Sequence, residues 1–157
     1  MKLLIIGPVA SGKTYLARKL SKELNIKYFE IDSIVHDDFN KIKRKVEEQD
    51  VIINKIDNEN EEWILEGTLR KNLYYLLDLA DKIIYLDVPI KIRKRRILFR
   101  FIKQKLNIEK CNYKPTVEML KLMYKWTDDF ENQREEFEKI LIKYNNKIIK
   151  ENELCRR

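Results

Sequence analysis

The chain has 157 residues, 44% of them hydrophobic and 38% charged, enough apolar material for one domain with a core of its own. Its 33 lysines and arginines against 26 acids leave a formal charge of +7, which suits phosphorylated small molecules, nucleic acid or simply solubility, and the sign alone does not choose among them. Two cysteines, Cys111 and Cys155, far apart and without metal-ligand spacing, together with a single histidine, His36, argue for free thiols in a reducing compartment and against a zinc site.

The first apolar run, Leu3 to Ile6, is too short for a signal peptide, and no stretch approaches the length of a membrane span, so a cytoplasmic protein without a membrane partner is expected. Lys2 to Ile6 reads as a buried strand that leads into Gly7-Pro8-Val9-Ala10-Ser11-Gly12-Lys13-Thr14. That octet fits the phosphate-binding pattern G-x-x-x-x-G-K-[ST] at every fixed position. Gly7 and Gly12 let the backbone turn its N–H groups inward, and the helix starting near Lys13 adds its positive end. Lys13 then supplies a mobile cation for β- and γ-phosphates, and the Thr14 hydroxyl is placed to ligate Mg²⁺. The helix, Tyr15 to Leu24, carries Leu16, Leu20 and Leu24 on one face.

Ile26 to Ile31 reads as a second strand closed by Asp32. Residues 33–60 are charged and mostly helical in pattern, with Phe39, Ile42 and Val46 at helical spacing and Val51 to Ile56 readable as helix or strand. Trp63-Ile64-Leu65 predicts a third strand ending at Glu66-Gly67, then a helix with Leu69, Leu73, Leu76 and Leu77. Ile83 to Leu86 predicts a fourth strand ending at Asp87, with Pro89 closing it. A basic helix follows from Ile90 to about Leu106, in which Lys91, Arg93, Lys94, Arg95, Arg96, Arg100, Lys103 and Lys105 occur with no acid among them. After a connector from Asn107 to Pro115, Thr116 is a candidate N-cap with Glu118 in the first turn, and a second helical stretch starts near Thr127 with Phe130, Phe137, Ile140, Leu141 and Tyr144. Lys147 to Lys150 predicts a short last strand. Alternating strands and helices imply a parallel sheet covered on both faces, with ligands at the carboxyl ends of the strands.

The P-loop, W-I-L-E-G-T-L-R at Trp63 to Arg70, and L-D-V-P followed by Arg96 and Arg100 resemble adenylate kinase and its small relatives. Within that group the chain looks most like the P-loop proteins labelled DNA topology modulation proteins of the FlaR type. The resemblance implies a three-layer α/β P-loop NTPase fold: five parallel strands in the order 2-3-1-4-5, an acceptor-binding insertion at about residues 33–60 and a lid at about residues 96–126 within one domain, 1–157. It also implies ATP or GTP with Mg²⁺, and transfer of a phosphoryl group to a small acceptor. In adenylate kinase two lid arginines follow the aspartate of D-x-P by nine and thirteen residues; Arg96 and Arg100 stand nine and thirteen after Asp87, on one helical face. The chain departs from the family where D-G-F-P-R is replaced by E-G-T-L-R, and it lacks the AMP-binding arginine after the first helix.

Candidate roles follow, each beside a structural alternative. Arg96 and Arg100 can close over the transferring group, or they can be part of a solvated basic helix face. Glu66 can hold Mg²⁺ through water or orient an acceptor hydroxyl, or it can be a capping or salt-bridging carboxylate. Asp32 can bind or deprotonate an acceptor hydroxyl, or cap the next helix. Arg70 keeps the offset of the arginine that grips an acceptor's phosphate, or it pairs with Glu66 or Asp32. Asp87 is read as fixing the loop before Pro89, His36 as a surface or acceptor-region side chain without catalytic duty, and Trp126 with Tyr124 and Phe130 as packing, with base stacking under a closing lid left open. A nucleic-acid partner through the basic helix is the less favoured reading, because no helix-turn-helix or zinc-finger pattern accompanies it.

Overall fold

The computed structural model describes residues 1–37, 42–109 and 115–150. Phe39, Cys111 and Cys155, and residues 110–114 of the predicted connector and lid, lie outside the described residues. Two compact units are distinguished. The first holds Met1–Gly7, Gly12–Leu86 and the described residues from Tyr144 on; the second holds Pro8–Ser11 and Asp87–Lys143.

The first unit runs β1 (Lys2–Ile6), α1 (Lys13–Leu24), β2 (Tyr28–Glu30), α2 (Ile31–Val35), β3 (His36–Asp37), β4 (Ile42–Lys43), α3 (Val46–Glu59), β5 (Trp63–Gly67), α4 (Leu76–Leu79) and β6 (Lys82–Tyr85). Strand β1 is apolar throughout after Lys2 because both its faces are covered, as parallel sheets require. It lies at the centre of a sheet ordered β2-β5-β1-β6, with every pairing parallel. Leu3 and Ile5 pack with Leu16, Ala17 and Leu20 of α1. Leu4 and Ile6 alternate to the other face and are equally buried.

Four predicted features are corrected. Among the described residues the sheet has four strands, not five: the fifth place is taken by one bridge, Ile83 to Ile148. The turn after the last helix delivers the chain to the sheet only at Lys147, whose ammonium is drawn onto the carbonyls of Leu77, Asp78 and Ala80 at 3.1, 2.7 and 2.9 Å. Second, β2 stops at Glu30, so Asp32 stands in the first turn of α2 and not at a strand end. The β-rich composition of 26–31 hid a helical spacing, Ile31, Ile34 and Val35, all buried. Third, the helix expected around Leu69 to Leu77 is a 3-10 turn, Lys71–Leu73, followed by the four-residue α4; Leu73, Leu76 and Leu77 are buried by that combination. The ambiguous segment Val51 to Ile56 is helical, within α3.

The second unit contains α5 (Ile90–Lys105) and α6 (Val117–Ile142). The fourth correction is here: the two helical stretches expected after Pro115 form one helix of 26 residues. Thr116 is its N-cap, with Oγ1 accepting from the Met119 N–H at 3.2 Å. Arg93 of α5 is fully buried against α6, donating through Nη2 to Glu131 and through Nε to the Val88 carbonyl at 2.8 Å, with its guanidinium 5.6 Å from the Phe130 ring centroid. Asp87 accepts from Arg134 at 2.5 Å, an ion pair that fixes the start of the unit.

Candidate functional site

In the first unit the chain leaves β1 at Gly7, and α1 begins at Lys13 with Gly12 as its N-cap. Gly12 has φ 101°, in the region where a Cβ is strained, and a glycine there also brings no side-chain acceptor to compete for the first-turn N–H groups. Gly7, at φ 158°, is close to extended. Its carbonyl accepts from the Thr68 hydroxyl at 3.1 Å, which ties the start of the loop to the residue just past β5. The register of β1 on β5 sets this up by placing Ile6 opposite Gly67 and Ile5 opposite Glu66.

That register brings Glu66 to Thr14. The Thr14 hydroxyl donates to Glu66 Oε1 at 2.6 Å, and Glu66 is only 3% exposed. Burial pushes the Glu66 carboxyl above its ordinary value, against the Thr14 hydrogen bond and the Lys13 ammonium, which favour the charged form; Glu30 and Asp32 push it further up. Glu30 lies directly across the β2–β5 pairing from Glu66. A hydroxyl and a carboxylate are hard oxygen donors suited to Mg²⁺. Among the described residues no three His, Cys, Asp or Glu side chains gather as a metal cage. Thr14 and Glu66 are the oxygen donors here that could take up such an ion.

A pH test follows from the raised Glu66 value. Between the unfolded and folded values the folded chain binds the proton more tightly, so this group's contribution makes stability fall as pH rises through that window. Glu66→Gln keeps an acceptor for Thr14 and removes the titration. Denaturation midpoints of the variant minus wild type are therefore expected to rise with pH and level off above the raised value; a difference independent of pH would contradict it.

Asp32 and Arg70 are brought together: Arg70 Nη2 donates to Asp32 Oδ1 at 3.0 Å. Arg70 Nη1 is buried without a hydrogen-bond partner among the described residues. The pairing realises the salt-bridge alternative for Arg70 while leaving one donor edge of the guanidinium uncommitted.

The rest of the predicted set belongs to the second unit. Ala10 has φ 61° and the Ser11 N–H donates to the Pro8 carbonyl at 3.3 Å, so Pro8, Val9, Ala10 and Ser11 form a tight turn. Arg96 Nη1 donates to the carbonyls of Ala10 and Ser11, both at 3.2 Å. Arg100 is not brought to that turn; its Nε pairs with Glu109 at 3.4 Å. His36 and Trp126 are exposed.

Sequence reasoning missed Thr68 and Glu30. Thr68 sits inside the E-G-T-L-R segment, a legible signal, whereas the approach of Glu30 to Glu66 depends on strand register alone.

The family model described as AAA domain matches residues 3–115, from β1 through the basic helix. The chain belongs to the AAA domain family. The cytidylate kinases of Sulfolobus acidocaldarius and Sulfurisphaera tokodaii are each 33% identical to it over 114 residues, 64% of this chain. The chain spans 62% of the length of these curated relatives. In fold the AAA domain resembles the solved shikimate kinase of Bacteroides thetaiotaomicron, with a TM-score of 0.50 and 15% identity over 84% of this chain and 79% of the other. The match to this AAA domain takes in Lys13, Thr14, Asp32, Glu66, Arg70, Arg96 and Arg100.

Proposed function

We propose that the chain is a small-molecule kinase that binds ATP or GTP with Mg²⁺ and transfers the γ-phosphoryl group to a nucleoside, nucleotide or related metabolite. The observation that carries this is the Thr14–Glu66 hydrogen bond beside Lys13, a phosphate loop and a buried carboxylate at the carboxyl ends of adjacent parallel strands. The cytidylate kinase relatives support the phosphotransferase reading and put cytidylate on the acceptor panel.

Lys13 and the backbone amides of Gly7 to Thr14 hold the β- and γ-phosphates. Mg²⁺, held through Thr14 and Glu66, supplies charge neutralisation on the phosphate oxygens. Arg96 and Arg100 are assigned to the transferring group on their offsets from Asp87. Asp32 accepts the proton of an acceptor hydroxyl as the new P–O bond forms and the bond from the γ-phosphorus to the leaving ADP or GDP breaks, while Arg70 grips an anionic part of the acceptor. One functional domain, 1–157, with residues 33–60 on the acceptor side and 96–126 as the lid, in the cytoplasm, completes the proposal, as does membership of the FlaR-type subgroup.

The test is ADP and GDP release from ATP and GTP against nucleosides, nucleoside monophosphates including cytidylate, and sugar alcohols. Acceptor-dependent release is expected, and Asp32→Asn is expected to lower it about 10²-fold for an alcohol acceptor with triphosphate affinity unchanged. Release indifferent to every acceptor would replace the kinase with a nucleoside triphosphatase. No release despite nucleotide binding would favour a nucleotide-dependent, DNA-associated regulator.

A further inference from the structure

The basic residues of α5 divide into two sets. Arg93 pairs with Glu131, Lys94 with Asp128 at 2.6 Å and Arg100 with Glu109 at 3.4 Å, while Arg96 is committed to backbone carbonyls. Lys91, Arg95, Lys103 and Lys105 meet no carboxylate at ion-pair distance among the described residues; Arg95 and Lys105 only lie over the rings of Phe99 and Phe101, at 5.4 and 5.8 Å. The apolar residues divide as well. Ile97 is buried on the side shared with Arg93 and Gln104. At 3.6 residues per turn, Ile92, Phe99 and Leu106 line up on the opposite side with Leu98 and Ile102 beside them, and these five are 45, 50, 64, 41 and 43% exposed.

The solvent side of α5 is therefore an apolar stripe running from Ile92 to Leu106, about 21 Å long at 1.5 Å per residue. Four cations without a carboxylate at ion-pair distance sit in or beside that stripe: Lys91 and Lys105 on one flank, Lys103 on the other and Arg95 within it, Lys105 also being within electrostatic reach of Glu118. An ordinary solvated helix reverses this pattern, with its paired charges outside and its apolar residues inside.

We propose that this outer face of α5 docks on an anionic lipid bilayer surface, lying in the headgroup region without spanning it. No helix among the described residues is long and apolar enough to cross a membrane. The bilayer interface accepts both features together: Phe99, Ile102 and Leu106 reach the acyl boundary, while the long stems of Lys91, Lys103 and Lys105 cover apolar surface and lift their ammonium groups to the lipid phosphates. A second copy of the chain would bring the same cations to the contact again, like charge against like. Duplex nucleic acid would take the cations but leave the five apolar side chains in water. A single convex ridge also needs a deformable counterpart or a matching groove, and the bilayer supplies the former. The proposal is independent of the kinase reading.

The test is co-sedimentation of the full chain with vesicles of phosphatidylglycerol and phosphatidylcholine, and with vesicles of phosphatidylcholine alone. Binding to the anionic vesicles only is expected. Lys91→Gln with Lys103→Gln should weaken it about 30-fold, and Phe99→Ser with Ile102→Ser should abolish it, while circular dichroism melting of both double variants stays unchanged. Three outcomes would overturn the proposal: no vesicle binding; vesicle binding that survives Phe99→Ser with Ile102→Ser, which is electrostatic attraction alone; or a dimer in solution that the same apolar variant dissociates, which assigns the face to a second copy.

Discussion

Lys13→Ala is expected to lower triphosphate turnover by about 10³-fold, roughly 4 kcal/mol of lost transition-state stabilisation, with thermal unfolding nearly unchanged. Lys13 is the first residue of α1 and only 8% exposed, so its ammonium acts where water screens it poorly. Alanine is the strongest helix former and costs α1 nothing intrinsic, which separates the chemical loss from a folding loss. The variant carries a second signature. Lys13 is one of the groups that hold the Glu66 carboxyl down against burial, so removing it raises that carboxyl further. On the proposed reading Glu66 would hold Mg²⁺ in its ionised form, and the residual activity of Lys13→Ala should therefore rise at a higher pH than that of wild type. Steady-state turnover against pH, with circular dichroism melting of both proteins, checks both parts. Turnover within tenfold of wild type would remove Lys13 from the proposed chemistry.

What could be read in the sequence was whatever depends on neighbours in the chain. The glycines of the phosphate loop, the apolar runs of β1, β5 and β6, and the Thr116 cap are local patterns with local causes, and they stand where they were expected. Asp32 was misplaced because Ile26 to Ile31 is β-rich in composition, while the turn into α2 is set by where Ile31 packs. The proximity of Glu30 to Glu66 and the anchoring of Gly7 by Thr68 come from strand register, which one sequence does not encode as a pattern. Arg93 was read as one cation of a basic helix, although its spacing to Ile97 and Gln104 marks the buried side. Arg70 shows a different limit: its offset in E-G-T-L-R was legible, but the pairing with Asp32 joins residues 38 apart in the chain.

Gly67→Ala is expected to destabilise the fold by about 3 kcal/mol, lowering the melting temperature by roughly 6–12 °C for a chain of this size. A Cβ at position 67 would lie 2.6 Å from Ile31 Cβ, 3.3 Å from its Cγ1 and 3.4 Å from its Cδ1. The shortest contact is with a Cβ, which follows the backbone and has no rotamer by which to escape. Relief requires α2 to move away from β5, at the cost of packing around Ile31, which is fully buried. Ile31→Ala removes Cγ1 and Cδ1 but leaves the Cβ, so the double variant should not recover stability and should lose more through the cavity. The strain also has a chemical direction. Asp32 is on α2 and Glu66 is on β5, next to Gly67, so the displacement shifts the Asp32–Arg70 pair relative to the Thr14–Glu66 pair. Acceptor-dependent turnover in Gly67→Ala should therefore fall more than triphosphate affinity does, in protein held well below its new melting point. A variant that melts within about 2 °C of wild type, a change of less than about 1 kcal/mol, would mean that α2 yields without cost and that Gly67 does not set the distance between the acceptor residues and the phosphate loop.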